Sequence, residues 1–179
     1  MLNEAQQAVL LRAARESISR HLRGDSASAF SGEMPSASGV FVTIKRRGEL
    51  RGCLGVLEMR GTLCDEVARC ARDSATRDPR FPPMTAAELG DMSLEISVLG
   101  PLEAIDPADE SAVVIGEHGL VVELGPTRGL LLPQVAVEWG WGREQFLGHT
   151  CRKAGLHEDA WRTGARVFRF GAQVFGDGR

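Results

Sequence analysis

Arg51 and Cys53 stand in the stretch GELRGCLGVLE, residues 48–58, where three glycines fall within eight positions. A thiol beside a cation is suited to nucleophilic chemistry, because the positive charge favours the thiolate. Strict strand alternation places Arg51, Cys53, Gly55 and Leu57 on one face and Leu50, Gly52, Leu54 and Val56 on the other. Gly55 then leaves open space beside the thiol, and Gly52 lets another backbone approach from behind. The competing reading is a small buried cysteine whose glycines mark a bulge, and spacing alone favours it.

Other chemistry is scattered. RDPRFPP carries Arg77 and Arg80 on a rigid loop, either an anion clamp or a surface turn anchored by Phe81. Glu95 alternates with apolar Leu94 and Ile96, as a solvated carboxylate or as an acid or base. His118, in GEHGL, is one of four histidines available for proton transfer near neutral pH. The four cysteines form no C-x-x-C pair and read as free thiols, while His149 and Cys151 are spaced wrongly for a metal pair on one helix face. No metal and no cofactor is expected. Phosphate-loop, dinucleotide and nucleophile-elbow motifs are missing from the sequence.

These residues need elements to hold them. Asn3 and Gln6 have capping-box spacing for a helix over 3–23 that Gly24 can end. Residues 24–38 are small and polar and read as a mobile loop. The segment VFVTIKRRGELRGCLGVLE predicts a hairpin turning near Arg47 and Gly48. Thr62 caps a second helix with the stripe Leu63, Val67, Cys70, Ala71 and Ser74, which the prolines after Thr76 must break. Residues 92–99 alternate as a strand, short strands follow, Pro133 opens a helix, residues 143–154 form another, and 167–175 close the fold as a strand. Helices and strands mix without regular βαβ alternation, so the fold class is α+β with antiparallel pairing dominant.

The chain has 179 residues, a net charge of -3, 43% hydrophobic and 6% aromatic content. That composition is ordinary for one soluble domain, and its charge and scarce stacking residues argue against nucleic acid. No apolar run reaches membrane-spanning length and no signal peptide is recognisable, which makes the cytoplasm the expected location.

In order, ELRGCLGVLE, DPRFPP, LEISVLGPLE, GEHGLVV, RGLLLPQVAVEWGW and FLGHTCRKAGL resemble the AMMECR domain, also known as the AmmeMemoRadiSam system protein A family. The likeness spans residues 5–176 as a single domain, and Leu54 stands where the family usually has isoleucine. It implies an α+β fold of a larger and a smaller lobe around an antiparallel sheet, with the RGC motif at a cleft between them. It also implies functional association with a Memo-like protein and a radical-SAM protein. The family motifs fall on Arg51, Gly52, Cys53, Gly55, Arg80, Phe81, Pro82, Glu95, His118, Gly119, Pro133 and Gln134.

Two functions follow. One is a cleft enzyme acting on a small anionic metabolite, with Cys53 as nucleophile or thiol ligand, Arg51 and Arg80 as charge partners, Glu95 and His118 as acid or base, and Gln134 as polar positioner. The other is a non-catalytic adaptor that receives a partner chain or delivers substrate to the Memo-like and radical-SAM proteins.

Overall fold

Asn3 opens the first helix as its spacing predicts: its side chain accepts the Gln6 N–H while the Gln6 side chain accepts the Asn3 N–H. This helix, α1, runs Glu4–Arg23 and ends at Gly24, whose φ of 77° needs no Cβ penalty. The computed structural model describes residues 2–26 and 32–177. Residues 27–31, the centre of the segment expected to be mobile, lie outside the described residues. The flank that follows is tied down, with Glu33 accepting from Gln6 and Met34 and Ala37 packed on the core.

The chain divides into two compact units, Met1–Leu99 with Gln173–Arg179, and Gly100–Ala172. In the first, β1 (Gly39–Arg46) pairs antiparallel with β2 (Glu49–Val56) and with β3 (Met92–Leu99). The β1–β2 hairpin turns on Arg47 and Gly48, both at positive φ (52° and 84°), the geometry that matches strand twist. Thr62 caps α2 (Leu63–Thr76), and a 3-10 turn over Ala86–Asp91 leads into β3. The predicted stripe of α2 is wholly buried, with Leu63, Val67, Cys70 and Ala71 packing against Leu10 and Ile18 of α1 and Val40, Val42, Ile44, Leu94 and Ile96 of the sheet.

The second unit holds β4 (Glu103–Ile105), β5 (His118–Leu124), β6 (Thr127–Leu131) and the first part of β7 (Arg166–Gly176). The last strand pairs antiparallel with β4 and β5, and β5 with β6. Two helices, α3 (Pro133–Glu138) and α4 (Arg143–Lys153), complete it. Its core gathers Leu120, Val122, Phe146, Leu147, Cys151, Trp161 and Val167. The fold is thus α+β with antiparallel sheet, as the sequence predicts. Among the described residues, no helix is long and apolar enough to cross a membrane.

Candidate functional site

The strand that carries Cys53 is not regular. Ile44 of β1 faces Gly52, but Lys45 faces Leu50, so Arg51 is an extra residue, a β-bulge. One extra residue moves every later side chain to the opposite face. Cys53 therefore lies opposite Thr43, half-buried, rather than opposite buried Val42.

Arg51 does not share the face of Cys53, contrary to strict alternation. It turns to Glu88, with Nε donating to Oε1 at 2.8 Å and Nη2 to Oε2 at 3.3 Å. Arg46, which alternates with Lys45 and so points away from Thr43, donates to the same carboxylate at 3.4 Å. The Arg51 guanidinium, helped by the N–H and hydroxyl of Thr85, holds the buried Glu88 carboxyl down to about 2. The arginine nearest to Cys53 in sequence is thus neutralised by a carboxylate of its own chain.

The outer edge of β2 is closed by side chains at Cys53. Its N–H donates to Asp78 Oδ2 at 2.9 Å, and its carbonyl accepts from Arg80 Nη2 at 3.3 Å. Arg80 also donates to both oxygens of Asp78, from Nε at 2.9 Å and Nη2 at 2.7 Å. The Asp78 side chain is 2% exposed, and Arg80, with the N–H groups of Cys53 and Arg80, holds its carboxyl well below the usual range. Within the DPRFPP loop, Arg80 is thus paired with the loop's own carboxylate, Asp78. Arg80 is 55% exposed in its side chain, and its Nη1 enters no hydrogen bond among the described residues. Phe81 lies beneath two cations, 5.5 Å from Arg80 and 5.9 Å from Arg51.

The two glycines act differently. A Cβ on Gly52 would meet the Ser74 carbonyl oxygen at 2.1 Å, so α2 packs its backbone directly on β2. Ser74 secures that approach, accepting the Leu54 N–H at 2.8 Å and donating to Val42 O at 2.7 Å. Gly55 does not open space beside the thiol: the place of its Cβ is 2.4 Å from the Phe41 ring, which fills it.

On the half-exposed face, three side chains stand in register across three strands. Thr43 pairs with Cys53 on one side and with Glu95 on the other. The Thr43 hydroxyl donates to the Cys53 sulfur at 3.2 Å. Glu95 is held by Lys45 at 3.0 Å. Beside Glu95 is a cavity of about 550 Å³ lined by Lys45 and Ser93 with Arg47 and Asp91. The other thiols are buried: Cys70 is pushed up to about 11 by burial, and Cys64 and Cys151 are raised by the same cause.

The first unit thus assembles Gly52, Cys53, Gly55, Arg80 and Phe81 around β2, with Arg51 behind the sheet and Glu95 across Thr43. His118 and Gln134 belong to the second unit. There, His118 Nδ1 accepts the Val114 N–H at 3.0 Å, and Gln134 is half-buried in the first turn of α3. Thr43, Ser74, Asp78 and Glu88 are the hydrogen-bond partners that motif reading passed over. Only Asp78, two residues before Arg80, carried a local signal. Among the described residues, no group of three His, Cys, Asp or Glu side chains is placed to hold a metal ion.

The AMMECR1 family model matches residues 11–175. A protein of Methanothermobacter thermautotrophicus is 46% identical over 175 residues, covering 93% of this chain and 91% of its own. One from Methanosarcina acetivorans is 41% identical over 185 residues, with 98% and 93% covered. The crystal structure of the uncharacterized protein PH0010 from Pyrococcus horikoshii aligns with a TM-score of 0.81 at 39% identity, covering 93% of this chain and 89% of that one.

Proposed function

The chain belongs to the AMMECR1 family, and from that premise we propose that it is the component of an AmmeMemoRadiSam-type system whose Cys53 thiol acts on a small anionic metabolite in the cytoplasm. The observation that carries this reading is the bulge at Arg51, which turns Cys53 from the core face to a half-exposed face opposite the Thr43 hydroxyl. A thiol kept for packing alone needs no such turn.

In this reading Cys53 is the nucleophile or thiol ligand, and the Thr43 hydroxyl, which donates to its sulfur, orients it. Glu95, in register with Thr43 on its other side, is the candidate acid or base. Lys45 and the free edge of Arg80 supply the positive charge an anion needs, and the cavity beside Glu95 is of a size for a small metabolite. His118 and Gln134 enter through the family motifs alone. The partners that accompany this role are a Memo-like protein and a radical-SAM protein.

Purified protein incubated with pooled small anionic metabolites, alone and with those two partners, tests the proposal. Expected is depletion of one metabolite, or a mass adduct on Cys53, that disappears in Cys53→Ser. A pool left unchanged under both conditions would move the role to the adaptor.

A further inference from the structure

Val137 and Trp139, at the end of α3, are the most exposed large apolar side chains among the described residues, at 59% and 69%. A Cβ at Gly116 would lie 3.2 Å from Val137 Cγ2, so the turn over residues 114–117, which carries exposed Val114, rests against α3. This surface belongs wholly to the second unit and owes nothing to Cys53.

Trp139 is not a loose side chain. Its ring stacks on Trp141 with centroids 6.1 Å apart and planes 16° apart, and Trp141 stacks on His149 at 3.8 Å and 5°. Three rings in series fix the outermost indole with one face covered and the other open, so little ordering entropy remains to be lost on binding. Two exposed carboxylates stand on the same turn and helix. Glu117 and Glu138 are exposed on the turn and on α3, and neither forms an ion pair among the described residues. Trp161 in the same unit shows what an indole here accepts: Arg162 lies 4.0 Å and Arg143 5.8 Å from its ring centroid. Trp139 has no such cation among the described residues.

We propose that Val114, Val137 and Trp139 form a docking surface for a basic segment of a partner protein, whose arginine or lysine lies on the open face of Trp139 and pairs with Glu117 and Glu138. The ring quadrupole and the carboxylates both select positive charge. Apolar neighbours of that cation cover Val114 and Val137. The same carboxylates repel phosphates, so a stacked nucleobase is the poorer occupant.

The test uses a fluorescent hexapeptide of alternating leucine and arginine, and its counterpart with citrulline for arginine, titrated by anisotropy against the full chain at two salt concentrations. The arginine peptide is expected to bind, and the citrulline peptide to bind about tenfold more weakly. Trp139→Ala should lose about tenfold, while Glu117→Gln with Glu138→Gln should weaken binding and flatten its salt dependence. Glu4→Gln with Glu16→Gln removes the same charge from α1 and should change nothing. The glutamine pair keeps the test decisive should Trp139→Ala misfold. Equal affinity for both peptides, or equal loss in the α1 control, overturns the proposal. Competition by oligothymidylate, or Trp139-dependent self-association in sedimentation, overturns it in favour of nucleic acid or a second copy.

Discussion

The carboxylate of Asp78 takes the amide hydrogen of Cys53 across 2.9 Å, while its partner Arg80 reaches the Cys53 carbonyl. Together they stand where a neighbouring strand would, at one residue of an edge strand. Arg80→Ala leaves a buried carboxylate without its cation and should cost on the order of 1–3 kcal/mol. Arg80→Lys should recover only part, since an ammonium cannot match the bidentate fork. Thermal denaturation of the three proteins checks this, and equal midpoints would make the clamp ornamental.

Acid should weaken the first unit in a defined window. The folded pKa of Glu88 lies below its unfolded value, so its contribution is complete above the ordinary glutamate value near 4.3 and is lost as pH falls towards about 2. Asp78 is shifted in the same direction. Glu88→Gln should lower the melting temperature at pH 7, by leaving Arg51 without its anion, and should flatten the pH dependence between 4.3 and 2. Parallel melting curves across that range would refute it.

Cys53 should be the first thiol to react. The other three are buried with raised pKa values, whereas Cys53 is half-exposed beside a hydroxyl donor. Brief iodoacetamide labelling mapped by mass spectrometry should find it alone. Thr43→Val, which removes that hydroxyl, should change the labelling rate of Cys53 without changing that of the buried thiols in denaturant. Equal rates at all four cysteines in native protein would sink the proposed site.

Gly52→Ala should be far more damaging than Gly90→Ala. The first places a methyl 2.1 Å from the Ser74 carbonyl oxygen, and backbone must move; overpacking of this kind costs about 1–3 kcal/mol or more. Gly90 has nothing within 4 Å. Urea unfolding of both variants gives the comparison directly.

What could be read from the sequence was local. The Asn3–Gln6 cap, the turn at Arg47 and Gly48, the stripe of α2 and the alternation of β3 depend on residues a few places apart. The bulge did not show itself. Counting back from the hairpin turn sets Val42 against Cys53, and the added residue, Arg51, is bound by Glu88, 37 residues away. Glu88 also accepts the Thr85 N–H at 2.8 Å and so caps the 3-10 turn it belongs to. Thr43 and Asp78 likewise matter through partners 10 and 25 residues away, and no spacing rule covers such distances.

The first unit is written in two pieces of chain. Gln173 hydrogen-bonds both backbone groups of Leu2, and Asp177 pairs with Arg15 and takes the Leu94 N–H. During synthesis, therefore, the strands around Cys53 can collapse early, but the unit cannot close until residues 173–177 have left the ribosome. A ribosome stalled near residue 170 would leave α1 and β3 waiting for their last contacts.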